Sequence, residues 1–429
     1  MIQRTDKPLR ILLADYVPLN NKGEQAIIYG IQDMLGGSQN VEISMFGPDY
    51  ENNRPDKLTV FPQEWIFATR LSPNKYHRLF TALQLRLGIF GRLNRLVQGG
   101  DPMFQEVRQA FDLADIILVG HDGFFCLENA AILNLAKRAA KRRGILGSGF
   151  FLPARRSLVD PIYRGAVTDS DFCYFREKTA WNYMRALAPS SDKPRLGPDP
   201  AFAMLPAPVS AVEALLGKWA WYANAVAQRR PIVVVTVCEK SVIYRCSFLS
   251  ETNPERKREA HAAFVAELLD TLVAQRNAQI VFLPHSIETG DGNDVAVART
   301  IAKAMRSNPD ARVILDEDLS ARMLKGIIGK ADFCVGERTH SLIGSFSVAT
   351  PFLGLTNTAD IRTHEILGAM GRCEEQLYDM DNPVAQQAVK LLLGSFDRRA
   401  ELRQQIARTF AEFEIQLKAM ARVVKGEEP

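Results

Sequence analysis

Short apolar runs and longer mixed runs alternate along the chain. RILLADY at 10–16 leads into GEQAIIYGIQDML at 23–35, and VEISMFG at 41–47 and KLTVF at 57–61 follow. DIILVG at 115–120 precedes ENAAILNLAKRAAKRR at 128–143. After ILGSGFF at 145–151, DFCYF at 171–175 precedes EKTAWNYMRAL at 177–187. Brief apolar runs separated by longer stretches of helical spacing predict βαβ units, and therefore a parallel sheet.

A proline-rich stretch, LGPDPAFAMLPAPVS at 196–210, interrupts the alternation with prolines at 198, 200, 206 and 208. Proline stops helices and is refused by central strands, so this stretch reads as a linker. The pattern then restarts. PIVVVTV (231–237), QIVFLPH (279–285), ARVILD (311–316), DFCVGE (332–337) and PFLGL (351–355) are strand-like, and AHAAFVAELLDTLVAQ (260–275) and DVAVARTIAKAM (294–305) are helical. The last amphipathic run, from about Asp397 to Val424, has no strand after it and reads as a helix packing back across the domain junction. The expected architecture is α/β, with two Rossmann-like parallel-sheet domains facing a cleft. They span residues 1–205 and 206–395, with a helical extension at 396–429.

Length and composition agree. A chain of 429 residues is long for one core, and 47% hydrophobic with 24% charged residues is the balance of a soluble globular protein. Basic residues exceed acidic ones by only 53 to 49. Such an excess is too small for a nucleic-acid binder and suits a protein that handles anionic small molecules or sits near an anionic membrane. Cys126, Cys173, Cys238, Cys246, Cys334 and Cys373 form no CxxC pair and several lie in apolar runs, as in a reduced cytoplasmic protein. The first apolar run is too short for a signal peptide, and none approaches the roughly 18 residues of a membrane span.

Residues 70–98 depart from the alternation. They contain Arg70, Lys75, Arg78, Arg86, Arg92 and Arg95, no acidic residue, and apolar positions at helical spacing. Two readings stand: an inserted helix with a solvated basic face, or a basic amphipathic helix in peripheral contact with the inner face of an anionic membrane.

In open parallel sheets ligands bind beyond the carboxyl ends of the strands, so the residues that follow each strand carry the chemistry. His121-Asp122-Gly123 follow DIILVG, Arg176-Glu177 follow DFCYF, His285 follows QIVFLP, and Arg338-Thr339-His340 follow DFCVGE. An arginine beside the free amides of a helix N-terminus suits a phosphate or carboxylate, and a nearby histidine exchanges protons at neutral pH. Each histidine taken singly also reads as a capping residue. Four coincident strand ends point to a shared anion-handling site. In the first βα turn, NNKGEQA at 20–26, Gly23 permits a tight turn, Glu24 opens the helix, and Asn21 and Lys22 are placed to reach a ligand. Neither GxGxxG nor GxxxxGK[ST] occurs. The acidic pairs at 169–171, 316–318 and 379–381 read as solvated charge, and no cluster has metal-ligand spacing. A reaction without bound metal or cofactor is expected.

Taken together, these segments resemble the polysaccharide pyruvyl transferase family. NKGEQA approximates that family's Asn-x-Gly-Asp-x-Ala turn, with Glu24 and Gln25 as departures. GHDGFF at 120–125 occupies the place of its glycine-rich turn, interrupted by His121 and Asp122. FREKTA carries its Arg-Asp/Glu pair, and GPDPAF at 197–202 its Pro-Asp-Pro-Ala-Phe segment. Pro284-His285 and RTHSLIGSFSVATP, with Arg-x-His before an apolar helix, match the second half.

The resemblance implies an architecture similar to two-domain glycosyltransferases of the GT-B type. It also implies transfer of a pyruvyl group from phosphoenolpyruvate to two hydroxyls of a sugar, in a polysaccharide or a lipid-linked oligosaccharide, during exopolysaccharide biosynthesis. On that reading Arg176, Arg338 and His340 bind the donor. His340 or His285 protonates the enol carbon, and Glu24 or Asp122 takes the hydroxyl proton. Asn21, Lys22, Gly23 and His121 face the acceptor from the first domain. A nucleotide-sugar glycosyltransferase, with Arg338 on the diphosphate, and an inactive carbohydrate-binding relative are the alternatives.

Overall fold

The computed structural model describes residues 7–48, 55–61, 102–120, 127–149, 156–238, 251–287, 293–357, 360–369 and 376–427. The basic segment 70–98, His121, Asp122, Cys126, Cys246 and Cys373 lie outside the described residues. The chain forms two compact units. One comprises Met1–Leu19, Ile27–Pro200 and Gln416–Pro429, and the other Asn20–Ala26 and Ala201–Ile415.

The first unit holds strands β1 (Leu9–Tyr16), β2 (Val41–Phe46), β3 (Leu58–Phe61), β4 (Ile116–Val119), β5 (Arg142–Ser148), β6 (Phe172–Phe175) and β7 (Pro194–Leu196). All pairs are parallel, in the order β3-β2-β1-β4-β5-β6-β7. Helices α1 (Lys22–Leu35), α2 (Pro102–Leu113), α3 (Leu127–Arg138), α4 (Arg156–Asp169) and α5 (Lys178–Leu187) connect them. β4 and β6 are buried at every position, as strands covered by helices on both faces must be.

The second unit repeats the plan with β8 (Ile232–Thr236), β9 (Gln279–Phe282), β10 (Arg312–Ile314), β11 (Phe333–Gly336), β12 (Phe352–Thr356) and β13 (Leu377–Asp379). Its order is β10-β9-β8-β11-β12-β13, again parallel. The helices are α6 (Val209–Leu216), α7 (Ala220–Ala227), α8 (Pro254–Arg276), α9 (Asp294–Ala304), α10 (Ala321–Lys330), α11 (Thr339–Ser347), α12 (Ile361–Ala369), α13 (Ala385–Asp397) and α14 (Arg399–Lys425). The bounds of α8 follow from local chemistry. Asn253 accepts from the amides of Glu255 and Arg256, Pro254 opens the helix, and Asn277 ends it in the left-handed region at φ 51°.

The expected final helix is α14. Within the second unit its Phe413 packs on Phe202 and edge-on against Phe346, at centroid distances of 5.1 and 5.6 Å. Within the first, Arg142 donates to the carbonyls of Val423 and Val424 near its end. Among the described strands, β7 and β13 alone went unread in the sequence. Each is a short strand at a sheet edge, PRL or LYD, with no apolar run around it to mark it. Cys173, Cys238 and Cys334 are buried free thiols, and burial pushes those of Cys173 and Cys334 up to about 12.

Strand order reverses between β1 and β4 in one sheet and between β8 and β11 in the other, the switch points where such sheets bind ligands. Close strand packing beneath the first depends on Gly144, which pairs with Phe172; a Cβ there would overlap the Phe172 ring. Gly144→Ala is expected to lower stability by about 1–3 kcal/mol through overpacking, read as a lower urea midpoint with unchanged slope.

Candidate active site

The residues after β9 and β11 converge in the second unit. Asn293 caps α9, accepting from the amides of Val295 and Ala296, and this fixes Asp294 at the first helical position. Asp294 is buried, yet its carboxylate collects several donors. Oδ2 accepts from the amides of His285 and Ser286 at 2.9 and 2.8 Å and from Arg338 Nε at 3.1 Å. Oδ1 accepts from a terminal nitrogen of Arg338. Burial pushes the Asp294 carboxyl up while Arg338 and the two amides pull it down. On balance burial prevails, and the carboxyl stands above its ordinary value despite these donors.

Arg338 thus reaches across the end of β8, with its side chain 17% exposed. Two of its five N–H donors are committed to Asp294. Its own carbonyl accepts from Ser341 Oγ at 2.7 Å, and that hydroxyl lies 2.6 Å from Thr236 Oγ1 at the end of β8.

The first βα turn joins this group. Residues 20–26 stand early in the sequence but belong to the second unit. Asn21 bridges Ser286 in antiparallel fashion, and Lys22 N donates to the His285 carbonyl at 2.8 Å. Asn21 Oδ1 accepts from Gly23 N at 3.0 Å, closing the turn. Gly23 lies against His340: a Cβ there would come within 2.5 Å of His340 Nδ1. Lys22, though buried, pairs with Asp318 at 2.6 Å; burial pulls its pKa down against the opposing pull of that carboxylate. Glu24 is buried beside it, and Gln25 Oε1 accepts from Ala321 N at 2.6 Å, capping α10. Asp318 belongs to an acidic pair expected to be solvated; instead it balances a buried lysine.

His285 is buried at the centre of this arrangement. Its Nδ1 lies 3.0 Å from the Leu283 carbonyl, an acceptor only, so Nδ1 carries the proton and Nε2 the lone pair. Burial is the main force pulling its pKa down to about 4. The charges of Arg338, His340 and Lys22 add to that pull, and the Leu283 carbonyl opposes it.

In the first unit, Arg176 follows β6 as expected, but its side chain is fully buried. It donates to Asp199 Oδ2 at 2.6 Å and lies 3.7 Å from Glu177 Oε1. At the switch point, Asp15 accepts from Gly120 N and Asn129 Nδ2, each at 2.5 Å.

The sequence profile described as polysaccharide pyruvyl transferase matches residues 21–358, most of the chain. The chain belongs to the polysaccharide pyruvyl transferase family. No curated protein matched it. Its fold is similar to that of a glycosyltransferase from Rickettsia africae, at 10% identity, TM-score 0.53 and 98% coverage of each chain. It is likewise similar to the UDP-GlcNAc 2-epimerase from Neisseria meningitidis, at 10% identity and TM-score 0.52, over 97% of this chain and 98% of that one. At such identities the likeness is one of fold, the two-domain GT-B-like architecture.

Against the family's motifs the structure sorts the expected residues clearly. Asn21, Lys22, Gly23, Glu24, His285, Arg338 and His340 all belong to the second unit, although the turn was expected on the acceptor side of the first domain. In this pyruvyl transferase family member Arg176 belongs to the first unit, on the aspartate of the Pro-Asp-Pro-Ala-Phe segment. Asp294 and Asp318 went unremarked as site residues. The one signal in the sequence was Asn293-Asp294, an ordinary helix start that says nothing of what the aspartate holds.

Two measurements follow. Asp199→Ala leaves the Arg176 guanidinium buried without its closest acid, which is expected to cost about 3 kcal/mol in chemical unfolding. For His285 the folded pKa of about 4 lies below the ordinary 6.5, so the unfolded state takes up a proton that the folded state refuses. Its stabilising contribution is whole above pH 6.5 and lost as pH falls towards 4, about 3 kcal/mol over the window. His285→Asn is therefore expected to make the acid limb of the stability–pH curve shallower; an unchanged limb would contradict the assignment.

Proposed function

We propose that this protein transfers a pyruvyl group from phosphoenolpyruvate to two hydroxyls of a sugar, forming a cyclic ketal. The observation that carries the reading is the gathering of Lys22, Arg338, His285 and His340 around one turn. Phosphoenolpyruvate presents a phosphate and a carboxylate, and a guanidinium with a lysine beside it suits both. Each cation is already paired, Lys22 with Asp318 and Arg338 with Asp294, so the site is built before any anion arrives.

The reaction needs a proton on C3 of the enol and removal of a proton from the attacking hydroxyl. His285, neutral at physiological pH with Nδ1–H on the Leu283 carbonyl, is ill suited to supply the first. That leaves His340 as the acid, held against Gly23. As C3 takes its proton, C2 becomes electrophilic and the first sugar hydroxyl attacks it, giving its proton to a carboxylate; Glu24 is the candidate within the second unit. The C2–O bond to phosphate then breaks. The second hydroxyl closes the ring, and its proton leaves with the phosphate. The products are the ketal and inorganic phosphate. Electrostatic stabilisation of the departing phosphate falls to Arg338. The acceptor class, a polysaccharide or a lipid-linked oligosaccharide, rests on the family alone.

Melting of the full chain with phosphoenolpyruvate and, separately, with a panel of nucleotide sugars tests the donor. A ligand at about 100 times its dissociation constant stabilises the folded state by about 2.7 kcal/mol. Phosphoenolpyruvate is expected to raise the melting temperature, and Arg338→Ala to abolish the rise. Stabilisation by a nucleotide sugar instead would assign Arg338 to a diphosphate and overturn the pyruvyl reading.

A further inference from the structure

Glu337 stands immediately before Arg338, where β11 ends at the switch point with β8, and it is buried. The reaction outlined above gives it no part. Its carboxylate spans two elements. Oε2 accepts from Cys238 N, just beyond β8, at 2.6 Å, and Oε1 lies 2.5 Å from Nε2 of His261 on α8. His261 is buried as well. A carboxylate only accepts, so His261 Nε2 donates. The Glu337 amide donates in turn to the Thr236 carbonyl at 2.8 Å, tying the same strand ends by backbone.

A buried carboxylate–imidazole couple is costly to desolvate, and apolar side chains would close the gap between β8 and α8 more cheaply. What the couple adds is a fixed direction and a fixed place for a negative charge. With Asp294 taking the guanidinium and Ser341 the carbonyl, Arg338 is held by its side chain, its backbone and the residue before it.

We propose that Glu337 and His261 form a positioning couple for anion binding at Arg338. His261 holds the Glu337 carboxylate towards α8 and satisfies it there, so that its charge neither opposes the incoming anion nor lets the end of β11 shift. The proposal rests on the phosphoenolpyruvate reading, and wild type serves as the control that separates the two. If phosphoenolpyruvate fails to stabilise wild type, the donor assignment has failed.

Given a wild-type response, phosphoenolpyruvate affinity is measured by thermal shift, alongside kcat and KM, for His261→Leu, Glu337→Gln, Glu337→Ala and the double variant His261→Leu/Glu337→Gln. His261→Leu leaves a buried carboxylate without its donor, and is expected to weaken affinity about tenfold, mostly in KM. Removing the charge in the double variant is expected to restore most of that loss. A couple that only supports the fold would lower the ligand-free melting temperature in every variant and leave affinity alone. Unchanged affinity in His261→Leu, or a double variant no better than the single, overturns the proposal. Should His261→Leu fail to fold, the two Glu337 variants decide. The amide keeps the Cys238 contact and is expected to stay within threefold of wild type, while alanine loses about tenfold; equal effects overturn it.

Discussion

The carboxylate of Asp294 is the constraint on which the second unit's strand ends depend. It sits at the first position of a helix whose asparagine cap fixes it there, and it accepts from two consecutive amides after β9 and from the guanidinium after β11. One acidic group thereby sets the distance between two loops that no strand pairing joins directly, since β8 lies between β9 and β11. Without it, the amides of His285 and Ser286 and the Arg338 guanidinium would each need another acceptor in a buried place.

The same economy recurs at three buried or half-buried cations. Lys22 has Asp318, Arg176 has Asp199, and Arg338 has Asp294. Charges taken out of water are tolerated when they are paired and hydrogen-bonded. A binding site assembled from such pairs competes with its own acids for any anionic ligand. Discrimination then depends on geometry and on the donors left over, more than on the sum of positive charge.

Much of the architecture was legible in the sequence, because apolar runs buried on both faces are hard to mistake, and the junctions after them held the arginines and histidines the structure places there. PIVVVTV, QIVFLPH and DFCVGE became β8, β9 and β11, with ends shifted by at most three residues. What was not legible was partnership. Asp318 looked like solvated charge because its lysine stands some three hundred residues away, and Arg176 looked like a ligand-facing arginine because nothing local announces Asp199. The edge strands β7 and β13 were silent for a different reason: PRL and LYD sit among polar residues and prolines, without the apolar run that marked the equally short β10.

The seven residues Asn20–Ala26 follow β1 in the chain yet cluster with the second unit, against His285, Ser286, Asp318 and His340. Any attempt to treat the halves as exchangeable parts must reckon with this. A chimaera joined at the proline-rich linker would carry the sheet, helices and arginine of one parent and the NKGEQ turn of the other, so its site would be a hybrid even where both folds were intact. Inheritance of the strand-end site in such recombinants should follow the short turn as much as the large domain.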